Sequence, residues 1–424
     1  MLLDISPLRV SRDYRVLIFG QLVSFFGSMM TFIIIQWQMY QLTGSNAMVG
    51  YIALAEFVPM VVLSFVGGAM ADYFDRRLML RLTEAGQTLL TALLVVNAFL
   101  DEPHIWLLFI VVAFHAGLAA LQRPAYESYI QAVVPAEMMV AVQALNSIRF
   151  NIGMILGPAI GGIIAAKFAA VDAYMIDLAT FAASLIAVML LKYLPRNPNA
   201  DKPSVRSVIT SLKYAVSRQE LLGTYFIDIA AMFFSFPQAL YPALASNYGN
   251  ETVGLFPGAL AAGALIASLT SGWTRKITRH GVWVIIAAIF WGVGILAFGA
   301  ADSIYTALLF LAAAGFSDMI SGIFRGAIWN QTIPNFMRGR MASIEMISYL
   351  TGPMLGSAKM GVVAEYTSVR FALVSGGIAC VVAVAATALF LPKFFSYDGR
   401  DGIRQREIEE ARRSEASRLS ESEF

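Results

Sequence analysis

About twelve times along this chain, a run of roughly 20 or more mostly apolar residues gives way to a short polar break. The runs lie near 15–42, 46–71, 78–100, 104–131, 138–166, 173–193, 221–247, 252–274, 282–300, 304–332, 341–365 and 369–391. A helix rises about 1.5 Å per residue, so each run is long enough to cross roughly 30 Å of hydrocarbon. Lipid offers no partner to a backbone amide, and the runs lack the two-residue alternation of a barrel strand. The pattern therefore predicts an all-α membrane protein with twelve transmembrane helices.

The polar breaks alternate in charge. Arg9, Arg12 and Arg15 precede the first run, Arg76, Arg77 and Arg81 follow the second, and Arg196, Lys202, Arg206, Lys213 and Arg218 follow the sixth. Arg275, Lys276, Arg279, Arg338 and Arg340 fall on the same side. The opposite loops carry mainly Asp101, Glu102, Asp172, Glu251 and Asp302, with Lys167 and Arg370 as exceptions. The positive-inside rule then puts both termini in the cytoplasm. The first residues, with Asp4 and Pro7, show neither an apolar core nor a cleavage site, so no removable signal peptide is expected.

Leu194 to Gln219, with Pro195, Pro198 and Pro203, is the one long polar stretch inside the apolar part of the chain. It divides the chain into a six-helix bundle at 1–193, a linker at 194–220, a second bundle at 221–395 and a charged tail at 396–424. The halves repeat in parallel: Gly68 to Arg77 corresponds to Gly272 to Arg279, Arg123 through Pro135 to Arg325 through Pro334, and Gly157-Pro158-x-x-Gly161 to Gly352-Pro353-x-x-Gly356. Three ordered matches at about half the chain length are the mark of two bundles related by an axis along the membrane normal.

Composition changes the picture only by exclusion. Hydrophobic residues are 58% and charged residues 14% of 424, more apolar than a soluble domain of this size can cover. No G-x-x-x-x-G-K-[ST] loop, no H-E-x-x-H and only three scattered histidines are present, which argues against a primary pump, a membrane enzyme, a cofactor or a metal. The formal charge of +2 gives no nucleic-acid signal, and the single Cys380 reads as a packing residue. The tail reads as a solvated helix with Glu409 four residues before Arg413, or as disorder, and no transport role is expected of it.

Two motifs carry more. Between the second and third runs, G-A-M-A-D-Y-F-D-R-R spans Gly68 to Arg77: glycine permits close helix approach, Asp72 closes a helix, and Arg76 and Arg77 hold the turn at the membrane face. In the fifth run, Gly153, Gly157, Pro158, Gly161 and Gly162 follow G-x-x-x-G-P-x-x-G-G, which opens one helical face to a neighbour's backbone. Ordinary small-residue packing is the plainer reading of the second. The first resembles the loop between helices 2 and 3 of the major facilitator superfamily, and the second resembles that superfamily's antiporter motif. With Gln122-Arg-Pro-Ala-Tyr126, Val134-Pro135 and Leu240 to Asn247, the chain is similar to the drug and siderophore exporters of that superfamily, macrolide-efflux proteins among them.

That resemblance implies two six-helix bundles about a pseudo-twofold axis and a monomer in the bacterial inner membrane. It also implies proton-coupled export of a small amphipathic molecule by alternating access, and a gating role for both motifs. A lipid or nutrient carrier of the same fold, or a non-transporting receptor, are the alternatives.

Charges inside the runs are costly unless paired or facing a cavity, so they are the candidates for coupling. Asp228, Asp318, Arg149 and Glu56 lie deep in their runs, with Asp177, Glu345 and Lys359 also inside. Arg149 is expected to oppose Asp228 and Asp318. Glu84, Arg123, Glu127 and Arg325 are read as interfacial, explained by snorkelling or loop pairing. Gln21 and Ser24, with Ser28, form a polar stripe that would line an aqueous path.

Overall fold

The computed structural model describes residues 4–193, 213–334 and 337–422, without the side chains at 65–66, 68–69, 71–73, 338–340, 342–343 and 412–422. Every regular element among the described residues is helical. The first half holds α1 (Arg12–Thr43), α2 (Asn46–Tyr73), α3 (Arg76–Ala98), α4 (Ile105–Val133), α5 (Met139–Lys167) and α6 (Ala170–Met189). The second half opens with α7 (Gln219–Ser235, resuming as Tyr241–Tyr248) and α8 (Leu255–Leu269), followed by α9 (His280–Ala300) and α10 (Ile304–Thr332). It closes with α11 (Arg338–Tyr366) and α12 (Val369–Phe390), and a further helix, α13, covers Gly399–Ser422. Among the described residues, eleven segments are long and apolar enough to cross a membrane. The twelfth, α11, has the length at 29 residues but carries Glu345, Lys359 and Glu365.

Local chemistry sets the boundaries. Ser11 and Ser45 cap α1 and α2, accepting from the Tyr14 and Met48 amides at 3.1 and 3.2 Å. Asp75 caps α3: its carboxylate accepts from the Arg77 and Leu78 amides at 2.9 and 3.4 Å. Pro237 has no amide to continue a helix, and α7 breaks there. The span expected over 252–274 ends at Leu269, and Ser271–Lys276 forms a 3-10 turn instead.

The chain gathers into two compact units. Unit 1 is Met1–Pro203 with Gln238–Ala261 and Ser357–Val369; unit 2 is Ser204–Pro237, Ala262–Gly356 and Arg370–Phe424. The two second-half pieces join unit 1 because of glycine contacts. Gly162 of α5 lies against the 3-10 segment Asn250–Gly254, where a Cβ would stand 2.7 Å from the Glu251 carbonyl. Gly361 of α11 lies against the Asn46 carbonyl at the start of α2, and a Cβ on Gly50 would stand 3.0 Å from that of Ala358. Glu365 completes the second contact, accepting from Ser45 Oγ at 3.0 Å and from the Ala47 amide at 3.3 Å. A carboxylate at the N-terminus of α2 is favoured by the helix dipole.

In unit 2 the indoles of Trp291 and Trp329 donate to Ser235 and Thr224 at 2.8 Å, which fixes α7 against α9 and α10. The tail is a helix, and most of its described side chains are exposed, but it is also anchored to unit 2. Glu409 pairs with Arg218 and accepts from the Tyr214 hydroxyl at 3.1 Å, and Arg406 donates to the Asn330 carbonyl at 2.6 Å. The Arg400 amide holds the Asp398 carboxyl below the usual carboxylate range at the start of α13. Of the predicted linker, residues 194–212 lie outside the described residues.

Candidate functional site

Two polar centres lie inside the apolar helices, one in each unit. In unit 2, Asp228 stands nine residues into α7 and Arg325 seven before the end of α10, which places both about 10–13 Å from a helix end. They form an ion pair with side chains 6% and 4% exposed. Asp318, two turns back along α10, comes within 3.6 Å of the other guanidinium nitrogen and is 37% exposed. Tyr349 of α11 lies under the same guanidinium, 5.4 Å from ring centre to carbon. One cation therefore stands between two carboxylates of unequal burial. A small cavity bordered by Asp228, Trp291, Asp318 and Ser321 adjoins them.

In unit 1 the centre is a carboxylate with neutral partners. Glu84 of α3 is completely buried. Gln21 of α1 donates to its Oε2 at 3.1 Å, and Gln122 of α4 donates to the same oxygen. Its Oε1 has no hydrogen-bond partner, and no cation pairs with it among the described residues. The two centres use corresponding elements: the first, third and fourth helices of one half, and the first and fourth of the other.

The family model for transmembrane secretion effectors matches residues 4–413. The chain belongs to that family. The enterobactin exporter EntS of Citrobacter koseri is 24% identical over 378 residues, 88% of this chain and 91% of the relative. Solved structures share the fold. The inward-open xylose transporter XylE from E. coli superposes with a TM-score of 0.67 at 15% identity, over 93% of this chain and 98% of that one. A bacterial homologue of the iron transporter ferroportin, in an inward-facing state, gives 0.67 at 14% identity over 91% and 99%. The protein is a multi-pass membrane transporter of the major facilitator superfamily.

Within this transmembrane secretion effector, the antiporter motif packs as its spacing requires. Gly153 meets Phe25, Gly157 meets Phe26, Met29 and Met30, and Gly161 meets Met30, all on α1. A Cβ on Gly161 would stand 3.1 Å from the Met30 carbonyl. The repeat behaves alike, with Gly352 and Gly356 of α11 against Met232 of α7. Pro158 turns its carbonyl toward Gly254. In the loop motif, Arg76 donates to the Ser128 carbonyl and Arg77 to that of Met189, each at 3.2 Å, so both tie down the last turns of neighbouring helices. The side chains of Gly68 and Asp72 lie outside the described residues.

Several expectations are corrected. Arg149 does not oppose Asp228; it lies 5.1 and 5.6 Å over the rings of Phe25 and Tyr126, and Arg325 holds Asp228 instead. Gln21, half-buried, donates into Glu84, and Ser24 is 4% exposed. Glu84 and Arg325, read as interfacial, are the buried members of the two centres. Glu56 is half-buried with no described partner. Asp177 is 1% exposed and accepts from Thr180 at 3.1 Å, a further buried carboxylate with neutral company. Helical period places a residue on a face and at a depth; it does not say which neighbour that face meets, and only Gln21 among these signalled a polar interior.

Proposed function

We propose that this transporter is a proton-coupled exporter of a small amphipathic molecule of the drug or siderophore class, working by alternating access from the bacterial inner membrane with both termini in the cytoplasm. Its likeness to an enterobactin exporter supports the direction and the class of cargo. The observation that carries the coupling is Arg325 held between Asp228 and Asp318.

A buried guanidinium must keep a negative partner. When Asp228 takes up a proton it no longer holds Arg325, and the nearest remaining carboxylate is Asp318. The cation then shifts along α10, and the grip of α10 on α7 loosens. Proton release returns it. Glu84 supplies the complementary element in the first half, a carboxylate whose charge state is set without a fixed cation. The Gly162 and Gly361 contacts set backbone against backbone, an arrangement suited to parting and closing.

Exchange and driven flux separate this reading from a structural one. In proteoliposomes loaded with a candidate siderophore or macrolide, Asp228→Asn is expected to keep cargo exchange while losing accumulation driven by a pH difference. Glu84→Gln should lower driven flux with exchange kept. Normal driven flux in both variants would remove these residues from coupling.

A further inference from the structure

We propose that unit 2 carries a binding site for an anionic phospholipid, with the acyl chain between α8, α9 and α10 and the phosphate at Arg275 and Arg400. Two cavities make up the site. The first is a groove of about 550 Å³, lined by apolar side chains with Ser317 as the one hydroxyl, and open along one side. Its outer residues Ile266, Phe290 and Leu309 are 54%, 60% and 65% exposed. Gly263 creates it: α8 meets the Ala312 carbonyl of α10 backbone to backbone, and space opens beside the contact.

The second cavity, about 350 Å³, lies between the start of α9, the end of α10 and the start of α13. Its wall is mixed, with Thr274, Arg275, Thr278, His280, Gln331 and Arg400 among apolar side chains. The two cavities meet across three rings. Trp273 and Trp283 line the groove, Phe324 lines the second cavity, and their centroids are 4.9 Å apart within the indole pair and 6.1 and 6.0 Å from each indole to Phe324. Paired indoles at this junction mark the level where hydrocarbon gives way to headgroups.

Charge selects the occupant. Arg275, Lys276 and Arg279 are exposed and have no acidic partner among the described residues. Arg400 stands in the wall of the second cavity, and its amide donates to the Asp398 carboxylate at 2.9 Å; Asp398 and Asp401 are absent from that wall. An apolar slot in the hydrocarbon that ends at the guanidinium groups of Arg275 and Arg400 fits a molecule with a chain and an anionic head. A zwitterionic lipid would fill the slot without net neutralising charge at its mouth.

The test is native mass spectrometry of the full-length protein in detergent, titrated with phosphatidylglycerol or with phosphatidylcholine of the same chains. Preferential retention of phosphatidylglycerol is expected. At about fivefold per basic residue, R275Q/R400Q should lower that preference roughly 25-fold and leave phosphatidylcholine retention as it was. Ala313→Phe, which places a ring in the groove, should lower retention of both lipids, and glycerol phosphate should displace neither. Both arginines are exposed, so the double variant reads selectivity even if Ala313→Phe fails to fold. Equal retention of the two lipids, an unchanged preference in R275Q/R400Q, or displacement by glycerol phosphate would overturn the site.

Discussion

Arg325 is the residue on which most of the buried electrostatics of unit 2 depends. Its side chain is 4% exposed, and its charge is balanced by Asp228 and, at 3.6 Å, by Asp318. Removing one member of such a pair leaves an uncompensated buried charge, at a cost of about 3–5 kcal/mol. Asp228→Ala should therefore lower the melting temperature of detergent-purified protein sharply, whereas D228N/R325Q, which removes both charges, should recover most of the loss. A double variant as unstable as Asp228→Ala would contradict the pairing. The sequence singled out Asp228 and Asp318, yet read Arg149 and not Arg325 as the opposing cation. Arg149 and Arg325 both lie inside helical runs, and only packing distinguishes them: Arg149 turns to Phe25 and Tyr126, while Arg325 turns to α7. Glu84 was missed for a related reason. Two turns from a helix end looks interfacial by counting, but Gln21 and Gln122 arrive from α1 and α4 to enclose it.

At the scale of elements, the glycine motifs were the most legible feature. Their four-residue spacing predicted backbone contact, and the contacts are found: α5 on α1 and α11 on α7. What spacing could not tell is that adjacent glycines do different work. Gly161 faces α1 within the first half, whereas Gly162 faces Asn250–Gly254 of the second. Gly161→Val should reduce folded yield, because α5 can no longer lie on α1. Gly162→Val should keep folded yield and part the second contact, which spin labels at the exposed positions Lys167 and Asn247 would read as a longer, broader distance distribution. An unchanged distance in Gly162→Val at normal yield would mean that this seam does not respond to its glycine. The tail shows the opposite case. Its composition suggested a solvated helix, and nothing in it announced that Glu409 would find Arg218 and Tyr214, nearly two hundred residues earlier.

For the whole molecule, hydropathy alone gave the helices and the membrane, since lipid leaves the backbone few choices. Family membership adds transport, and the two polar centres are the groups proposed to couple it to protons. The central claim is that an imposed proton gradient drives cargo through this protein. Purified transporter in sealed proteoliposomes, given a labelled siderophore or macrolide and an acid interior that mimics the outer face, tests it directly. The account predicts that cargo moves into the acid compartment against its own gradient, and that a protonophore abolishes the movement while cargo exchange continues. Accumulation that is indifferent to the pH difference, or that requires ATP in the purified system, would contradict it.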